Sequence, residues 1–91
     1  MFNVNLDTIE AQLGATAAMS IFNDPQIGNR AVLTTHYEDE STFEDSSVVM
    51  MFKTAELDAL AKLIERAREG LAAAERGGIV GLATWAEKNS H

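Results

Sequence analysis

The chain has 91 residues, 46% of them apolar and none of them cysteine, and carries a formal net charge of -7 at pH 7. This length and composition suit one folded domain spanning residues 1–91, with no need of a metal or disulfide staple. The missing cysteines exclude disulfide bridges, thiolate metal sites and thiol nucleophiles, and leave the redox compartment open.

Phe2, Val4 and Leu6 alternate with Asn3, Asn5 and Asp7, so a strand starts the chain. The next segment has two readings. Asp7 and Glu10 suit a capping box that opens a helix through Ile9, Leu13, Ala17 and Ile21, the second element of a ferredoxin-like βαββαβ order. In the other reading Gly14 is a turn and Ala15 to Phe22 a second strand, which makes a meander. Gly14, Thr16 and Ser20 weaken the helix and favour the meander.

Asn23-Asp24-Pro25 and Gly28-Asn29 mark a turn, and Arg30 to Tyr37 alternates as a strand. The acidic stretch Glu38 to Asp45 connects it to Ser47 to Phe52, a short apolar run rich in β-formers. As a strand, this run sets Val48, Met50 and Phe52 on one side and Val49 and Met51 on the other. Both sides are apolar. One helix covers only one face of a small sheet, so the second face is expected to meet another segment or another molecule.

A helix is predicted over Ala55 to Arg76, because Leu57, Leu60, Ile64, Ala67, Leu71 and Ala74 recur at spacings of three and four. Thr54 suits its N-cap, and Gly77-Gly78 its stop. Gly70, with Ala67 and Ala74, offers a low-relief surface to another backbone. The tail from Ile79 to Lys88 fits a strand or a second helix equally. Trp85, the only tryptophan, suits the core or an interface anchor. The expected fold is therefore α+β: a small antiparallel meander of three or four strands packed on one long C-terminal amphipathic helix, with ferredoxin-like order as the alternative.

The charge is lopsided. Eight acids face the single base Arg30 in the first 52 residues, whereas six acids meet six bases from Lys53 onward. Five of the acids, Glu38, Asp39, Glu40, Glu44 and Asp45, fall within eight positions. On an extended segment Glu38 and Glu40 would project from one side roughly 6.7 Å apart, an array suited to a groove built for phosphates. The bases on the helix are interleaved with acids, so direct nucleic-acid binding lacks its basic stripe.

Chemistry finds little material. His36 and His91 are the only histidines, and Thr34, Thr35 and Ser41 near His36 match no nucleophile motif. The acidic stretch lacks the glycine and the ligand spacing of a calcium loop, and the glycines after the helix have the wrong polarity for a phosphate cradle. No catalytic residue, metal or cofactor is expected. A start without a basic segment and continuous apolar run points to the cytoplasm, or to a host cell's cytoplasm if a phage encodes the chain.

The reading that follows is a non-enzymatic acidic binding module, with Glu38, Asp39, Glu40, Glu44 and Asp45 engaging a basic site on another protein. A homodimer formed through Val49, Met51 and Trp85 is expected beside it, and neither membrane nor nucleic acid is a direct partner. In size, charge and lack of motifs the chain resembles the small inhibitors that phages and other mobile elements encode, anti-CRISPR and anti-restriction proteins. That resemblance implies occupation of a nucleic-acid groove. The alternative is a small dimeric structural or regulatory component, such as an assembly or antitoxin-like partner, that docks through an apolar sheet face.

Overall fold

A computed structural model describes residues 2–39 and 44–89. The fold is α+β, a four-stranded antiparallel meander followed by a long C-terminal helix, as the alternation and the helical periodicity predict. The chain divides into two compact units, Met1–Leu57 and Asp58–His91.

The first unit holds β1 (Phe2–Glu10), β2 (Thr16–Asp24), β3 (Gly28–Asp39) and β4 (Glu44–Phe52), each paired with the next. Between β1 and β2 the chain turns through Gln12–Gly14, with Leu13 at φ 61° and Gly14 at φ 75°. Two left-handed residues in succession end any helix that Asp7 and Glu10 would open, and the meander results. At the next turn the Asp24 side chain accepts hydrogen bonds from the Gln26 and Ile27 backbone N–H groups, and Gly28 supplies φ 83°. This Asx-turn fixes the β2–β3 register.

Register sorts the side chains across all four strands. Val4, Ile21, Ala31 and Phe52 form one cross-sheet row, and Asp7, Met19, Leu33 and Met50 the next, so this face is predominantly apolar. The other face carries Asn5, Ser20, Val32 and Met51 in one row and Thr8, Ala18, Thr34 and Val49 in another. β4 is apolar on both sides, but only one face of the whole sheet is.

The described residues of the second unit, 58–89, belong to α1 (Thr54–Asn89), which begins at the end of the first. Its cap sits one residue earlier than Thr54. The Lys53 N–H donates to Glu56 Oε1 at 2.8 Å and the Lys53 carbonyl accepts from the Leu57 N–H at 2.9 Å, half of a capping box. The helix is broken at Gly78, where φ 61° and ψ -151° lie in a region open in practice only to glycine. Beyond the break the tail is helical, and it returns along the first arm. Arg66 Nη2 donates to the Asn89 carbonyl at 2.9 Å, although 23 residues of unbroken helix would hold them about 35 Å apart. The Trp85 ring lies over Gly70, and Gly81 lies against the Ala73 carbonyl. These pairs converge on the break, as in an antiparallel αα-hairpin.

The low-relief surface at Gly70 is thus occupied, and its occupant is the chain's own tail. Several larger apolar side chains of the arms, Leu63, Ile64, Leu71, Ile79 and Val80, remain exposed. Among the described residues Ala31 and Ala73 are the only buried hydrophobic ones. No helix formed by the described residues is long and apolar enough to cross a membrane.

Candidate functional site

The acidic stretch is less of a loop than its composition suggests. β3 runs on to Asp39 and β4 begins at Glu44, so most of the cluster lies in paired strands at the end of a hairpin. Glu38 stands directly opposite Asp45, and Asp39 opposite Glu44. Like charges at directly opposed positions destabilise a sheet, by roughly 0.2–1 kcal/mol per pair. The register thus sets the Glu38 and Asp45 positions opposite one another near the hairpin end, with the backbone positions of Asp39 and Glu44 paired next along the ladder. Glu40, the fifth acid, lies outside the described residues.

One step further into the ladder, His36 stands opposite Ser47. The His36 Nδ1 and Ser47 Oγ are 3.1 Å apart, within hydrogen-bond distance, and His36 Nε2 lies 3.8 Å from Asp45 Oδ1. Serine, histidine and aspartate therefore meet on one face, a juxtaposition that only the register reveals, since Ser47 is eleven residues from His36. The histidine is 45% exposed and Asp45 64%, on the open surface of a sheet. β3 pairs with β2 only as far as His36 and with β4 on to Asp39, so beyond His36 it is flanked on one side only. The separation to Asp45 exceeds a hydrogen bond. What the arrangement does is hold an imidazole beside a hydroxyl and a carboxylate on an exposed surface.

The residues expected to mediate self-association are placed apart. Val49 and Met51 are exposed on β4, on the more polar face of the sheet, with Thr34 and Val32 as their cross-strand partners. Trp85 belongs to the other unit, where its ring is half-buried over Gly70. It serves the hairpin seam. Beside it a concavity is lined by Arg76, Gly77, Gly81, Trp85 and Lys88 among others.

Among the described residues no group of three or more histidines, aspartates or glutamates is gathered as metal ligands would be. Comparison of the chain with protein-family models, curated proteins and solved structures finds no match.

Proposed function

We propose that this chain is a non-enzymatic protein-binding module that sets the acid-bearing end of its β3–β4 hairpin into a basic site on another protein in the cytoplasm. A site built to receive phosphates has the matching charge, which makes the chain an inhibitor of the anti-CRISPR or anti-restriction type. The observation that carries this reading is the register: Glu38 stands opposite Asp45, like charges whose repulsion a cationic surface would relieve, and the backbone positions of two further acids, Asp39 and Glu44, are paired next to them.

The test is capture from the native host with the full chain as bait, beside a Glu38→Lys, Glu40→Lys, Glu44→Lys variant. The parent chain should retain a protein with a basic surface, release it as salt rises from about 0.05 to 0.5 M, and lose it on charge reversal. A partner held equally by both baits rejects the proposal.

A second reading, a small dimeric structural or regulatory partner, draws on the apolar row formed by Val4, Ile21, Ala31 and Phe52 and the exposure of the β4 side chains. Docking of that kind would respond little to salt.

A further inference from the structure

The strand order β1-β2-β3-β4 leaves two edges, and they are differently guarded. β1 carries devices that discourage pairing with another chain: a register irregularity between Asn5 and Asp7, and the acids Asp7 and Glu10. β4 carries none between its ends. Its stretch Ser46 to Phe52 has no charge, proline or glycine, and Val48, Val49, Met50 and Met51 are all at least 50% exposed. The charges stand at the two ends, Asp45 within the strand and the exposed Lys53 just after it.

We propose that β4 pairs antiparallel with β4 of a second copy about a twofold axis at Val49, joining two four-stranded sheets into one of eight strands. A twofold axis normal to a sheet keeps each face on its own side, so only residues of the same face can stand opposite one another. With Val49 on the axis, Ser47 meets Met51 of the second copy, and Met50 meets its Val48. Asp45 then meets Lys53 at both ends of the seam.

Charge selects this register among the alternatives. An axis at Val48 would set Asp45 opposite Met51, and parallel in-register pairing would set Asp45 beside its own copy. Only the Val49 axis opposes Asp45 and Lys53. On its inner side Asp45 faces Glu38, with the His36 ring 3.8 Å away, and Lys53 of the second copy supplies a lysine cation on the outer side. The Lys53 backbone N–H and carbonyl are engaged by Glu56 and Leu57, which leaves its side chain to make this contact.

The pairing does not depend on the acidic docking proposed above, because it is read on the chain alone. Sedimentation velocity of the full chain over about 1 to 100 µM should show a dimer. Asp45→Lys and Lys53→Asp, each of which opposes like charges across the seam, should each weaken self-association about tenfold. Carrying both exchanges should restore it to within about twofold of the parent. Asp45→Lys also removes the repulsion from Glu38, and circular dichroism of each variant separates a weakened dimer from a lost fold. If one single variant unfolds, the restoring double variant still decides. A chain that stays monomeric over that range, a dimer indifferent to both single exchanges, or a double variant no stronger than the singles overturns the proposal. A foreign strand on this edge would appear as the first of these.

Discussion

The sheet and the helical hairpin handle apolar side chains in the same unusual way, by opposite means. In the hairpin the contact is made by small residues: Gly70 under Trp85, and Gly81 against the Ala73 carbonyl. Leu63, Ile64 and Leu71 stay outside. In the sheet the contact is the backbone ladder itself, and the larger side chains stand on its faces, with Ala31 alone buried. Each unit closes through backbone or near-backbone contact, and each leaves many of its larger apolar groups exposed. Burying a leucine or methionine side chain is worth roughly 1.5–3 kcal/mol, so at the exposed positions much of that stabilisation is not drawn on.

Gly78→Ala should strike this contrast hardest. Alanine resists φ 61° with ψ -151°, at a cost of about 1–3 kcal/mol, and a straight helix through position 78 becomes the better solution. The hairpin would open and Trp85 would leave Gly70. A red-shifted tryptophan emission with unchanged helix content would report it.

Gly81→Ala comes next. A Cβ there would lie 2.5 Å from the Ala73 carbonyl oxygen, so the arms must separate, and a loss of about 1–2 kcal/mol should remain after the gain in helix propensity. Gly77→Ala provides the control, because its Cβ meets nothing within 4 Å. It should gain about 0.5–1 kcal/mol from propensity alone. Thermal unfolding of the pair therefore separates the seam from the helix itself.

The smallest effect belongs to the outward residues. Leu71→Gln in the hairpin and Ile9→Thr in the sheet replace side chains that are both 65% exposed, and each should shift stability by less than about 0.5 kcal/mol. Chemical denaturation measures both, and a loss several times larger at either position would place that side chain inside an interface.

Local pattern carried much of the fold. The alternation of Phe2, Val4 and Leu6, the left-handed turn at Gly14 and the stop at Gly77-Gly78 are properties of a few neighbouring residues. The polarity of a sheet face is a property of all four strands. β4 read alone is apolar on both sides, whereas the register sets Ser20 and Asn5 in the row of Met51. The tail Ile79 to Lys88 fits two forms when read locally, because its helical form depends on contacts with residues 8 and 15 positions earlier, Gly81 with Ala73 and Trp85 with Gly70. The acids at the hairpin end were visible as a cluster, but their opposition in pairs, and the meeting of His36 with Ser47, emerge only from pairing. A signal was present for the latter: an alternating strand on either side of a short connection brings residues equidistant from its centre together.

The break at Gly78 also sets an order of assembly. Eleven residues, 79–89, are too few to persist as a helix in water, since isolated helices below about 12–15 residues are marginal. The first arm must serve as the template on which the second winds, and the second ends where Arg66, midway along the first, donates to the Asn89 carbonyl. Amide protons of the second arm should therefore exchange at a common rate set by undocking rather than by fraying from either end.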